Sequence, residues 1–442
     1  MPDQYGAIER RIAHLLARFP LVKSWVKYGY ARAAYVLSGA CDEPASARGA
    51  VHQVGAPGVE TFFGYYDKSP LSPNGWLLCH ASGHPTNEQP RADRSIAVQV
   101  YDFRAGELNR AALSIDTQTY NWQQGARAHW LDGDTFVFND FDATQQRYIC
   151  RMWSIGQRRE IRRYAQPVQD SWRNDYFLSL NYRRLQALRP DYGYRNLPPL
   201  GPDALADLEH DGIERVDYAD GRHHLLYSLS QICRCGHEPV FDKAAHKVNH
   251  IMIGPDGRHF IFLHRYFVGR RKFDRLMLGS ADGVELRVLS AHGMVSHCFW
   301  MNEGALLCYL RRPDGHDGYT IVDTASGAMR PLLEGRLDGL GDGHPHVHGH
   351  CFVTDTYPDK RRMQHLLIGD LHSGRIIELG RFHQGFRYGG ETRCDLHPRF
   401  DTEGRHVFFD SVCSGRRRLH FLEVGTGLEN EMTASPPVFE RK

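Results

Sequence analysis

One pattern recurs along the chain and restricts its fold more than any other feature: a short apolar strand opened by a histidine, at His129, His250, His297, His344 and His397. From His250 to His297 is 47 residues, from His297 to His344 is 47, and from His344 to His397 is 53. A near-constant period means repeated structural units packed side by side. Two pieces alternate within each unit. The first is an inner strand, a turn and a second strand: YDKSPLSPNGWLLCH, ARAHWLDGDTFVFND, VNHIMIGPDGRHFIFLH, VSHCFWMNEGALLCYL, GHPHVHGHCFVTD and LHPRFDTEGRHVFFDS, with a weaker copy in SWRNDYFLSLNY. The second is an outer hairpin, as in VQVYDFRAGEL or HLLIGDLHSGRIIEL.

Inner pair plus hairpin makes a four-stranded sheet, and about 45 residues per unit is the length of a propeller blade. Seven units predict an all-β, seven-bladed β-propeller over residues 46–442, preceded by a helical extension over 1–45. The last unit lacks a final strand, whereas VHQVGAPGV (51–59) has no blade of its own, so this segment is expected to complete the seventh blade and close the ring. Residues 5–40 carry helical apolar spacing broken by Pro20, which predicts two short helices packed on the main domain. The segment from about 183 to 212 interrupts the third unit. It is too polar and proline-rich for strands and is expected on one face, where long insertions often carry function.

Charge excludes some partners. Lys plus Arg is 54 against 52 for Asp plus Glu, so no global field attracts a polyanion, and nucleic acid is not expected to bind. An acidic sugar would have to be held by a local patch. The start, MPDQYGAIERR, lacks the pattern of a secretory signal and no apolar run is long enough for a transmembrane segment, so a soluble cytoplasmic protein is expected. The ten cysteines are scattered, most of them in apolar strands, which argues against a disulfide framework. Cys233 and Cys235 lack a second pair for a zinc site. Nothing in the pattern speaks to oligomeric state.

In a propeller the innermost strand of each blade lines the central channel, so five histidines in one register converge on the axis. Such a ring can bind a divalent ion, move a proton, or do both. The plainer reading is a channel plugged by imidazoles, but channels are more economically packed with small or apolar groups than with side chains costly to desolvate. His344 lies in GDGHPHVHGH, where His346, His348 and His350 follow at alternate positions. In an extended strand His344 and His346 stand about 7 Å apart, so both reach one ion only if the chain bends. His297, His344 and His397 therefore rank first as metal ligands, with His346 the competitor.

The register NHIMIGPDGRHFIFLH, then VSHCFW, then GDGHPH followed by FVTDTYPD, then DLHPRFDTEGRHVFFDS resembles the oligogalacturonate lyase family, most clearly over residues 240–425. The resemblance implies a seven-bladed propeller with a manganese ion in its funnel, held in that family by three histidines and a glutamine, with another histidine as base. By register it gives His250 the base position and His297 a metal position, and it places the later ligands within His344–His348 or at His397. No glutamine stands near the GHPHVHGH run, which leaves zinc as an alternative ion.

The residues suit β-elimination from a uronate-containing oligosaccharide or polysaccharide. That reaction removes a weakly acidic proton beside a carboxylate and expels an oxygen, and so needs charge neutralisation and a base. Tyr182 and Arg183, beside the insertion, are candidates for binding the carboxylate and assisting departure. Tyr66, Lys68, Asn121, Gln124 and Arg265 are expected at the funnel mouth as sugar-binding groups, and His129, which has no ligand role, is grouped with them. Trp122 is read as core. Arg270 to Lys272 and Arg416 to Arg418 are read as solvated charge. Two other classes compete: a non-catalytic propeller that binds a glycan or protein, and a metal hydrolase, which would need a carboxylate in the ring register, where none is evident.

Overall fold

The computed structural model describes residues 20–37, 45–269 and 271–425. Seven antiparallel sheets succeed one another along the chain and form a seven-bladed β-propeller. Their innermost strands are Glu60–Phe62, His129–Trp130, Asp170–Trp172, Ala245–Ile253, Val295–Asn302, His346–His348 and Arg399–Phe400. The weak copy in the sequence is the third blade.

Blade faces are apolar on both sides because each is sandwiched between two neighbours. Leu78, Val98 and Val100 of the first blade pack with Phe136 and Phe138 of the second, all fully buried. Val353, Leu366 and Ile368 of the sixth pack likewise against Phe400 and Phe409 of the seventh. Each such side chain contributes about 1.5–3 kcal/mol through removal from water. This explains why the strands read as apolar runs rather than alternating patterns.

The ring closes as expected. His52–Gln53 pairs with Arg418–Glu423 as the outermost strand of the seventh blade, His52 opposite Phe421. A second fastening lies nearer the axis. Asp410 of the seventh blade accepts hydrogen bonds from the amides of Phe63 (3.0 Å) and Gly64 (2.8 Å) of the first, and is ion-paired to fully buried Arg399 at 3.2 Å. Gly64 has φ +105°, and a Cβ there would stand 2.9 Å from the Gln124 carbonyl carbon, so this approach requires glycine. The seam thereby fixes the course of the next residues, Tyr65 and Tyr66. Ala45–Ala47 adds a fifth strand to the sixth blade, which the repeat did not suggest.

Of the two expected N-terminal helices, the first lies outside the described residues. The described part is one helix, Pro20–Leu37, begun by the residue expected to break it, since proline is tolerated in a first helical turn. Tyr35 packs edge-on to Phe386 at 5.6 Å. No helix among the described residues is long and apolar enough to cross a membrane.

The insertion contains no strand. It carries helices Tyr182–Leu188 and Pro202–Ala206 and a short 3-10 turn, Pro190–Tyr192. Asn181 caps the first, its side chain accepting from the amides of Arg183 and Arg184. Buried Arg184 organises the segment through Asp211 (2.5 Å) and the carbonyls of Ala204, Leu205, Asp207 and His246. The tip crosses to the loop before the seventh blade, where Asp191 meets Arg393 at 2.8 Å and Arg195 meets Glu391.

Candidate metal and base site

Three of the five ring histidines meet at the axis. The His344 ring centroid stands 4.0 Å from that of His297 and 4.2 Å from that of His397, and all three side chains are buried. Local backbone irregularity accompanies two of them and the neighbouring His250. His397 has φ +46° and His250 φ +53°, and the ladder shifts register after Asn249 and after Val295. Left-handed non-glycine residues cost about 1–3 kcal/mol each and persist where surrounding contacts over-determine them, commonly at functional sites.

Acceptors hold the far side of two rings. His344 Nδ1 lies 2.8 Å from Asp355 Oδ1, and His297 Nδ1 lies 3.1 Å from both Asp342 Oδ1 and the Gly343 carbonyl. These acceptors select the Nδ1–H tautomer and leave Nε2 with a lone pair, the arrangement found when a carboxylate orients a metal-binding histidine. Asp355 also accepts the His397 amide at 3.1 Å. Burial is the largest single effect on His344 and pulls its pKa down, but Asp355 together with Asp395 and Asp342 makes the net direction upward. Burial, then the neighbouring His344, depresses both His297 and His397.

The Nε2 atoms of His344 and His397 and the Oδ1 of Asp395 are buried with no hydrogen-bond partner among the described residues. One ligand atom from each of these three residues lies within 4.8 Å of the others. Buried polar atoms are rarely left unsatisfied, and two imidazole nitrogens with a carboxylate suit a divalent ion. The donor set therefore fits a metal, with His297 beside it. Asp395 brings a carboxylate to the centre from outside the histidine register. It lies two residues before His397, as Asp342 does before His344, and the paired Asp-x-His spacing was the available signal.

His250 stands next to this group, its ring 6.2 Å from that of His297. Tyr65 stacks on it with an interplanar angle of 6°, and its Oη lies 2.5 Å from His250 Nδ1. Tyr192, from the insertion tip, packs edge-on at 5.0 Å. Burial, then Arg265, holds the His250 pKa well below the ordinary imidazole value, and burial, then Tyr66, holds Tyr65 well above the ordinary phenol value. Both are neutral near pH 7. Tyr66 forms the floor, its ring 5.4 Å from His344 and 5.8 Å from His297.

Other expected residues are placed differently. His346 is separate from the three central rings, packed on Phe299 at 4.2 Å with its Nδ1 facing the Phe400 amide at 3.4 Å. His129 has both nitrogens engaged, by the Arg127 carbonyl and Ser171 Oγ at 2.7 Å each. The Tyr66 hydroxyl is committed to the Cys298 backbone, donating to O at 2.9 Å and accepting from N at 3.1 Å, so its hydroxyl is not free for a sugar. Tyr182 is buried against Tyr194, its hydroxyl donating to Gln169 Oε1 at 2.7 Å, and Arg183 donates to the Pro198 carbonyl at 2.9 Å. Both sit at the start of the helix that the Asn181 cap begins, with their polar groups committed to these partners. Lys68 pairs with Asp170 at 2.5 Å, and Asn121 uses its side-chain oxygen to cap the turn into Gln123 and Gln124. Gln124 is buried beside Gly64. Arg265 is buried and ion-paired to Asp274 at 2.6 Å. Trp122 is core, 1% exposed. Arg417 and Arg418 are buried rather than solvated, and Arg417 donates to the carbonyls of Trp122, Thr392 and Arg393.

A second cluster, Cys233, His246 and His264, has its nitrogens already in use. His264 Nδ1 accepts from Arg275 at 2.9 Å, so its Nε2–H donates to His246 Nδ1 (2.9 Å), whose Nε2–H donates to the Phe241 carbonyl (2.8 Å). This relay satisfies both rings without an ion.

No family model matches the chain, and no curated protein matches it in sequence. Solved structures do. An oligogalacturonate lyase in complex with manganese matches at TM-score 0.60 and 14% identity, covering 88% of this chain and 96% of that one. An oligogalacturonate lyase from Vibrio parahaemolyticus matches at TM-score 0.57 and 12% identity, covering 85% and 94%. At such identity the likeness shows the shared propeller fold.

Proposed function

We propose that the protein is a metal-assisted lyase that cleaves a uronate-containing oligosaccharide or polysaccharide by β-elimination. The observation that carries this reading is the grouping of His344, His397 and Asp395, which bring one ligand atom each within 4.8 Å of the others and each keep a buried polar atom without a hydrogen-bond partner, next to a neutral imidazole, His250, backed by Tyr65. The likeness to two oligogalacturonate lyases, one of them a manganese complex, supports it.

His344, His397 and Asp395, with His297, would hold the divalent ion. Bound there, the ion supplies Lewis acidity toward the sugar carboxylate, lowering the barrier to proton loss from the adjacent carbon. His250 would take the C5 proton at Nε2 in the tautomer whose Nδ1–H donates to Tyr65 Oη, and the phenol oxygen then serves as the acceptor for the imidazolium that forms. The C5–H electron pair becomes the C4–C5 double bond as the C4–O bond breaks. The imidazolium formed on His250 is acidic enough to protonate the departing oxygen. Tyr66 and Tyr192 wall the site and exclude water around the imidazole.

The test is to incubate the purified protein with a panel of uronate glycans, with and without chelator, and follow the ultraviolet absorbance of the unsaturated product. Chelator-sensitive absorbance with at least one glycan is expected. No product from any glycan, with no metal retained on elemental analysis, overturns the reading.

A further inference from the structure

The fourth blade carries a group of buried cations that the base and metal site do not use. Lys247 and Arg265 are directly opposite on paired strands, and Asp274 is opposite Arg265 on the next, so the three side chains share one face. Asn249, two residues after Lys247, lies on the same face. Lys247 is fully buried, Asn249 and Arg265 are each 2% exposed, and Lys247 Nζ, Asn249 Nδ2 and Arg265 Nη1 have no hydrogen-bond partner among the described residues. Charge is unbalanced as well. Lys247, Arg265 and Lys272 face one carboxylate, Asp274, which pairs with Arg265 at 2.6 Å and Lys272 at 3.1 Å. Arg189, at the margin, is already matched by Asp191 at 2.9 Å.

Unpaired buried ammonium and amide groups are strongly disfavoured unless something completes them. We propose that Lys247, Asn249 and Arg265 form an oxyanion-binding subsite beside His250, and that it receives a carboxylate of the uronate substrate. The inference rests on the lyase reading for the source of the carboxylate. The donor set itself requires only a small oxyanion, so a free inorganic anion is the alternative source. One amine, one guanidinium and one amide on a single sheet face offer the donors that a planar carboxylate with two oxygens accepts. The location fits because His250 directly follows Asn249 on the same strand, at the irregularity that interrupts the ladder between Asn249 and Met252. Burial, then Arg265, also holds the Lys247 pKa well below the ordinary lysine range, so the ligand-free amine is driven toward its neutral form and an entering oxyanion would restore its charge.

The test is calorimetric titration of the full chain with galacturonate, galactose and inorganic phosphate, for the wild type, Lys247→Met and Asn249→Leu. Galacturonate is expected to bind and galactose not, with Lys247→Met weakening galacturonate roughly ten- to hundredfold through loss of a charge-assisted bond. Binding of phosphate in preference to galacturonate overturns the assignment to substrate, and galacturonate binding unaffected by both substitutions overturns the subsite. Melting temperature supplies the folding control. Lys247→Met is expected to raise it in ligand-free protein, because methionine removes a buried amine that has no partner, whereas a fall identifies a structural lysine and overturns the proposal. Galacturonate binding that depends on Lys247 without any lyase activity would refute the elimination while leaving the subsite standing. Turnover by Lys247→Met with unchanged KM would do the reverse.

Discussion

Tyr65 Oη stands 2.5 Å from His250 Nδ1 while the two rings lie within 6° of parallel, so the phenol and the imidazole are positioned as one unit. The first blade brings Tyr65 and the fourth brings His250, and only ring closure places them together. His250→Ala is expected to reduce turnover roughly hundred- to ten-thousandfold, the usual contribution of a general base. Tyr65→Phe, which removes the hydrogen-bond partner of His250 Nδ1, is expected to lose about tenfold. Metal content by elemental analysis should be unchanged in both. Full activity in the alanine variant would remove His250 as base.

Asp355 holds the His344 ring and the His397 amide together, and so acts on the ion through its ligands. Asp355→Asn should lower affinity for a divalent ion roughly 10–100-fold, the range measured when such orienting carboxylates are replaced. Competition against a chromogenic chelator measures it. His344→Ala should abolish binding at the same site, and retention of metal by that variant would mean the ion sits elsewhere.

Asp410 should be among the least replaceable residues. It joins the seventh blade to the first and neutralises Arg399, which is 0% exposed. Asp410→Ala strands a buried guanidinium and two amides, a loss of about 3–5 kcal/mol. Denaturant midpoints give the value, and a loss below about 1 kcal/mol, the scale of an exposed pair, would show that the seam does not depend on this contact.

Acid should destabilise the fold well above the range in which carboxylates titrate. His80 donates from Nδ1 to the Phe63 carbonyl at 3.1 Å and accepts the Ala126 amide at Nε2, 2.9 Å away, so protonating Nε2 breaks a buried bond. Burial lowers its pKa from 6.5 to about 4, and His420 is lowered to about 4 for the same reason. The unfolded chain thus binds protons that the folded chain refuses. Stability is full above pH 6.5 and falls as pH drops toward 4, by about 3 kcal/mol for each such residue. Urea titrations at about pH 7 and about pH 5 should show the decline, and a flat profile would contradict the buried neutral state.

The sequence by itself determined the blade count and the closing strand, because every blade must bury two faces and so repeats the same apolar run and turn at a regular interval. It also determined that His250, His297, His344 and His397 share one register, since side-chain direction in a strand follows position. It could not decide which of them meet. That depended on bulges after Asn249 and Val295 and on left-handed residues at His250 and His397, which rotate a side chain without leaving a mark in the apolar pattern, while His346 packs on Phe299 away from the three central rings. His129 fell out because Ser171 and the Arg127 carbonyl occupy its nitrogens, and Tyr182 and Arg183 because their polar groups are committed at the start of a capped helix. Tyr65, Asp395 and Lys247 owe their standing to neighbours far away in sequence, whose approach removes water and leaves a phenol against an imidazole, a carboxylate atom without a donor and an ammonium without an acceptor. Such relationships are products of burial, which is a property of the closed ring and of no single segment within it.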